Sequence, residues 1–252
     1  MQQTPHPLYG ITVSTNYADI LNIVIHQNQQ FFTKWYIVTA ETDSQTIETI
    51  RSANYTNIEI LYFDFHKGGY KFNKGGAVRY AQQTILANHN EGVNTLIVDS
   101  DIFIPDEFGD YYNKNSHLLQ PNTLYGVEQR FDYSKYSDFK KKINGIYYTL
   151  SKGFFGFFQL YKQAADKLYI DSIDCGCESH FINLFTIQNT LYLHSLSTNN
   201  ELYEALAKVF FPRNNCIYIP ITVSHLGAPN MHWTGRIKKD DFIVDCADPI
   251  SA

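Results

Sequence analysis

The chain has 252 residues, a formal net charge of -5, 44% apolar and 18% charged residues. That balance supports a packed core and excludes a disordered chain, and the slight acidity excludes the strongly basic footprint of a general nucleic-acid binder. No run reaches the roughly 18 apolar residues of a membrane-spanning helix, and Met1 to Leu8 is polar rather than signal-like, so a cytoplasmic protein without a membrane span is expected.

The first third alternates short apolar runs with helical patterns, the rhythm of βαβ units and a parallel sheet. Tyr9 to Ser14 is expected as the first strand. Ile20, Ile23, Val24 and Phe31 recur at helical spacing over a helix from Asp19 to Gln30, with Asp19 as its cap. Lys34–Thr39 and Ile58–Phe63 read as the second and third strands, separated by a helix over Ser44–Ala53. The glycine-bearing segment Lys67 to Gly76 opens a helix from about Ala77 to Ala87. Thr95 to Asp99 is a fourth strand, apolar throughout as in sheets covered on both faces.

Beyond Pro105 the pattern loosens into aromatic-rich segments at Phe131–Tyr136 and Tyr147–Tyr161, and a further helix is expected over Glu178–Phe185. Lys140, Lys141 and Lys142 read as a solvated helix face. The four cysteines lack C-x-x-C spacing, and reduced thiols are expected, with Cys175 and Cys177 on a turn. No linker or repeat divides the chain, which is read as one domain over 1–252, a nucleotide-sugar half at 9–110 and an acceptor half at 111–252.

Ligands of open α/β sheets bind beyond the carboxyl ends of the strands, and there the sequence sets Asp99-Ser100-Asp101. Two carboxylates one residue apart can both address Mg²⁺ or Mn²⁺, which offsets the cost of placing like charges beside an apolar strand. Taken alone, the tripeptide is equally an Asx turn. In Lys74-Gly75-Gly76, glycines let backbone amides approach an anion and Lys74 offsets its charge, although a tight turn with a helix cap needs the same residues.

In sequence order these segments resemble the GT-A fold glycosyltransferases of the family-two-like type. Thr95 to Asp101, with Ile102 and Pro105 behind it, is similar to the family's D-x-D signature, and Phe72 to Ala77 to its F-N-K-G-x-A helix opening. Asn16-Tyr17-Ala18-Asp19, then Tyr36 to Thr39, Asp43 and Thr46, are similar to its nucleotide-binding start. Gly176 to Phe181 falls where the family has an acidic pair before a helix, with Cys177 in place of the first acid and Glu178 in place of the second. Val223 to Gly227, then Asn230, Trp233, Gly235 and Arg236, is similar to C-terminal elements of related enzymes.

The resemblance implies an α/β GT-A fold, a central mostly parallel sheet flanked by helices, binding a nucleoside diphosphate sugar, with a UDP-sugar as the expected donor. It implies Mn²⁺ or Mg²⁺ on Asp99, Asp101 and His225, and donor contacts from Thr15, Asn16, Tyr17, Asp43, Lys74, Gly75, Asp99, Ser100 and Arg236. Glu178 inherits the role of general base toward an acceptor hydroxyl, with Asp174 as its rival; a carboxylate favouring a helix N-terminus is the other reading of Glu178. The acceptor is a glycan or another hydroxyl-bearing molecule, nucleic acid entering only as a modified-base acceptor. A same-fold nucleotidyltransferase is disfavoured because Ser14 to Tyr17 is not a glycine-rich phosphate loop; a non-catalytic sugar- or nucleotide-binding module is the remaining alternative. Abundant Asn, Ile, Tyr and Lys suggest an AT-rich viral or bacterial genome, and host cytoplasm if viral.

Overall fold

Burial on both faces of the first, second and fourth strands dictates the architecture. On β1 (Leu8–Val13), β2 (Lys34–Thr39) and β4 (Asn94–Val98), Leu8, Trp35, Ile37, Leu96 and Val98 enter one apolar cluster. Their neighbours Tyr9, Ile11, Tyr36, Val38 and Ile97 enter another. Successive side chains leave a strand on opposite faces, so both faces need cover. The first cluster receives Ile20, Leu21, Val24 and Ile25 from α1 (Ala18–Asn28), the second Ala77, Val78, Ala81 and Ile85 from α3 (Lys74–Asn88).

The computed structural model describes residues 6–89, 92–149, 156–171, 177–185, 216–227, 236 and 242–245. The remaining elements are α2 (Ser44–Ala53), β3 (Ile58–Tyr62), β5 (Ile102–Phe103), α4 (Glu107–Asn115), β6 (Leu124–Tyr133), α5 (Tyr136–Lys141), β7 (Ile146–Thr149), β8 (Phe158–Lys162), α6 (Cys177–Asn183) and β9 (Cys216–Leu226). The strands form one sheet in the order β3-β2-β1-β4-β8-β6-β9-β5, with β7 paired to β6. β3, β2, β1 and β4 are mutually parallel. β8 runs antiparallel between β4 and β6, and β9 lies parallel to β6 across a bulge at Val127/Gln129. The α/β class and the helix-flanked sheet expected from the sequence are both present.

Local differences have physical causes. Asp19 does not cap α1, whose N-cap is Tyr17 without a side-chain hydrogen bond; its carboxylate is taken by Arg236. The helix ends at Asn28, followed by a 3-10 turn over Gln29–Phe31. The buried Asn28 amide donates to Ile102 O and accepts from Ile104 N, fastening α1 to β5. α3 begins at Lys74 rather than Ala77, because the Asn73 side chain accepts from Gly76 N and caps the earlier turn. Gly10 allows the close passage of β1, since a Cβ there would stand 2.7 Å from the Trp35 ring.

Lys140 and Lys141 lie in the last turn of α5. Lys142 departs from the expected solvated helix face. It leaves the helix with φ 54° and sets its ammonium 3.9 Å from the centre of the Phe139 ring. Burial lowers its pKa, which Glu107 only partly opposes. Cys177 is buried and Cys216 half-buried; Cys175 and Cys246 lie outside the described residues. Among the described residues no helix is long and apolar enough to cross a membrane.

Candidate active site

Three elements bring charged side chains to the turn that follows β4. Asp99 N donates to Phe157 O and Ile102 N to Asp99 O, which folds the turn tightly. On its far side Leu226 N donates to Asp101 O, so the end of β9 holds the same turn. Ser100 and Asp101 are buried within it.

From α3, Lys74 Nζ reaches Asp99 Oδ1 at 2.8 Å and Glu178 Oε1 at 3.0 Å. Glu178 is the second residue of α6, and its other oxygen accepts from Cys177 Sγ at 3.2 Å. Burial alone would drive Lys74 toward neutrality, but Asp99 and Glu178 more than reverse this and hold the ammonium charged. Burial likewise raises Glu178, and Lys74 overrides it, keeping the carboxyl below its ordinary range. Asp99 moves the other way: burial, helped by Asp101, raises it against the pull of Lys74.

Gly156 is what lets Glu178 sit there. A Cβ at Gly156 would lie 2.1 Å from Glu178 Cγ and 2.9 Å from its Oε1, so only a residue without a side chain passes this carboxylate.

His225, on β9, stands between two carboxylates. Its Nε2 is 3.5 Å from Asp101 Oδ2 and its Nδ1 3.3 Å from Asp132 Oδ1, at the end of β6. Burial lowers the imidazole pKa, but Asp101 and Asp132 carry it up to about 9. In return, burial raises Asp101 while His225 outweighs it and holds that carboxyl low. Arg130 Nε lies 2.9 Å from Asp132 Oδ1, and its guanidinium covers the Phe157 ring at 5.2 Å.

The expected metal ligands are thus assembled in part. Asp101 and His225 face each other directly, whereas Asp99 is drawn to Lys74. Among the described residues no three His, Cys, Asp or Glu side chains converge to enclose an ion. The donor chemistry nevertheless suits a hard divalent cation: two carboxylates and an imidazole share the turn, and Asp101 Oδ1 is buried without a hydrogen-bond partner.

The expected donor-binding residues form a second group beside the turn. Asn16 follows β1 with φ 62°, and its amide N donates to Asp43 Oδ2 at 2.7 Å. Asp43 caps α2 by accepting from Thr46 N. Asn16 Nδ2 donates to Arg236 O, and the Arg236 guanidinium grips both Asp19 oxygens, at 2.5 and 3.1 Å, while lying 4.9 Å from the centre of the Tyr17 ring. Burial raises the Tyr17 phenol, and the charges of Asp101 and Asp99 raise it further. Thr15 Oγ1 is buried without a hydrogen-bond partner, and Gly75 is buried in the first turn of α3. Arg236, expected on a diphosphate, is committed here to Asp19. Asp174, Asn230, Trp233 and Gly235 lie outside the described residues.

Sequence reasoning missed Asp132, Arg130 and Gly156, and it misread Asp19. Arg130 and Asp132 alternate on β6 at the start of the run Phe131–Tyr136, read only as aromatic, and two charges of opposite sign at strand spacing were the available signal.

No protein-family model matches the chain, and no curated protein does. Similar solved structures include 4-diphosphocytidyl-2C-methyl-D-erythritol synthase from Anaerococcus prevotii, 10% identical over 86% of this chain and 87% of that one, with a TM-score of 0.41. Mannose-6-phosphate isomerase from Helicobacter pylori is 10% identical over 86% and 99%, with a TM-score of 0.45. A provisionally named nucleotide-diphospho-sugar transferase from Desulfovibrio desulfuricans is 8% identical over 88% and 82%, with a TM-score of 0.40. At TM-scores below 0.5 these likenesses carry no argument about substrate or reaction.

Proposed function

We propose that the chain is a metal-dependent glycosyltransferase that moves a sugar from a nucleoside diphosphate sugar, with UDP as the expected nucleotide, to an acceptor hydroxyl. The observation that carries the reading is the convergence of Lys74, Glu178 and His225, from α3, α6 and β9, on the Asp99-Ser100-Asp101 turn at the carboxyl edge of β4. Asp99, Asp101 and His225 would hold Mn²⁺ or Mg²⁺, whose chemistry there is to offset charge on a departing diphosphate.

The chain's own residues supply the rest. Lys74 is a fixed cation beside the turn, able to pair with donor phosphate oxygens. Thr15, Asn16, Tyr17 and Asp43, which follow β1 and β2 in the chain, would contact the nucleotide. The Glu178 carboxylate stays ionised, so its oxygens can take the acceptor hydroxyl proton; attack from the face opposite the diphosphate then inverts the anomeric carbon. The acceptor class is a glycan or another hydroxyl-bearing molecule.

The test is a donor screen that reads released nucleotide, with UDP-, GDP- and dTDP-sugars, with and without Mn²⁺ and after chelation. Turnover is expected with at least one UDP-sugar, lost on chelation and in Asp101→Ala. Retained turnover in that variant would move the metal elsewhere, and pyrophosphate release from a nucleoside triphosphate and a sugar phosphate would make the protein a nucleotidyltransferase.

A further inference from the structure

The deepest carboxylate at the site has no place in that scheme. The Asp132 side chain is 1% exposed, and it stands opposite the one histidine assigned to the metal. Burying a carboxylate so completely is costly unless it is compensated. Its partners are Arg130, through Nε at 2.9 Å and Nη2 at 3.2 Å, and His225 Nδ1 at 3.3 Å. β6 and β9 run parallel with Asp132 beside His225 in register, so the backbone ladder sets this pair, and not chance contact of two long side chains.

An imidazole has two ring nitrogens, and whatever holds one fixes where the other points. Here Nδ1 faces Asp132 and Nε2 faces Asp101. Arg130 is in turn held over the Phe157 and Tyr148 rings. Resting on the metal reading above, we infer that Asp132 is a positioning residue: its carboxylate, set against Nδ1 of His225 by the β6–β9 register, turns the ring so that Nε2 is presented to the ion shared with Asp101, and Arg130 keeps that carboxylate in place. Carboxylates that orient a ligating histidine in this way typically contribute about 10- to 100-fold to metal affinity.

The experiment measures Mn²⁺ affinity of the full-length protein without donor, by calorimetry and by the EPR signal of free Mn²⁺, alongside thermal unfolding in chelator. Asp132→Ala is expected to weaken Mn²⁺ binding about 10- to 100-fold. Asp132→Asn, which keeps an oxygen of the same reach opposite Nδ1, should recover most of that loss. In a His225→Ala background, Asp132→Ala should add almost nothing, since its effect passes through the imidazole. Arg130→Gln/Asp132→Ala removes the cation that the single variant leaves unpaired, and it provides the same reading if Asp132→Ala does not fold.

Two results overturn the inference while leaving the metal reading intact: His225→Ala weakens Mn²⁺ but Asp132→Ala does not, or Asp132→Ala costs as much without His225 as with it. Wild-type protein that binds Mn²⁺ no better than Asp101→Ala would instead remove the metal reading, and this inference with it.

Discussion

Arg236 closes a two-toothed ion pair on Asp19, 217 positions away in the chain, and its side chain is wholly buried in doing so. The pair ties the far end of the described chain to the first turn of α1. Asp19→Ala would leave the buried guanidinium without its carboxylate, at an expected cost of about 3 kcal/mol in urea unfolding. Asp19→Ala/Arg236→Met should be less destabilised than the two single variants summed, because it removes the stranded charge as well as the bond. Additive losses would show that the pair is not coupled.

Glu178→Gln keeps the size of the side chain and removes its ability to take a proton. Acceptor-dependent kcat is expected to fall about 10²- to 10⁴-fold, with donor KM little changed. Since the carboxyl is held below its ordinary range, the wild-type rate should stay level as pH is lowered through 6 and 5 to about the usual glutamate value of 4.3. An acid limb centred near neutrality would assign the proton to another group.

Gly156→Ala tests the same carboxylate from outside. The new methyl would collide with Glu178 Cγ at 2.1 Å, and Glu178 is pinned by Lys74 and Cys177. A loss of about 1–3 kcal/mol is expected from such overpacking, together with a fall in kcat. Unchanged stability and rate would mean that Glu178 can move freely.

Asp171 accepts from Asn73 and from Arg79 at the start of α3. Burial raises its pKa, but these hydrogen bonds and the charge of Arg79 outweigh it and leave the carboxyl depressed. With a depressed folded-state value, its stabilising contribution is complete above the unfolded value of about 3.9 and is lost as pH falls through the folded one. The stability difference between wild type and Asp171→Asn should therefore be constant near neutrality and shrink below about pH 4. A difference that grows on acidification would reverse the sign of the shift.

What the sequence disclosed follows from how far each signal reaches along the chain. β1 to β4 and α1 to α3 were legible because hydrophobic period and caps are local. The D-x-D turn and Lys74 were legible because strand ends and glycine-bearing helix openings are also local. Asp132 was not, since its meaning depends on β9 lying beside β6, a pairing of Asp132 with His225 that no periodicity announces. The same holds for β8, whose antiparallel insertion between β4 and β6 is a matter of long-range pairing. Asp19 was read as a cap because its position suits one; only the distant Arg236 redirects it.

The two straps on the Asp99-Ser100-Asp101 turn come from Phe157 and Leu226, and chains emerge from the ribosome N-terminus first. A nascent chain released only as far as β5 already carries both aspartates, yet neither strap, and the edge of β4 awaits β8. The anchored form of the turn is therefore a late acquisition in biosynthesis, gained when β9 docks. A nonsense codon between Asp101 and Leu226 yields a product with the Asp99-Ser100-Asp101 tripeptide but without the strap from Leu226.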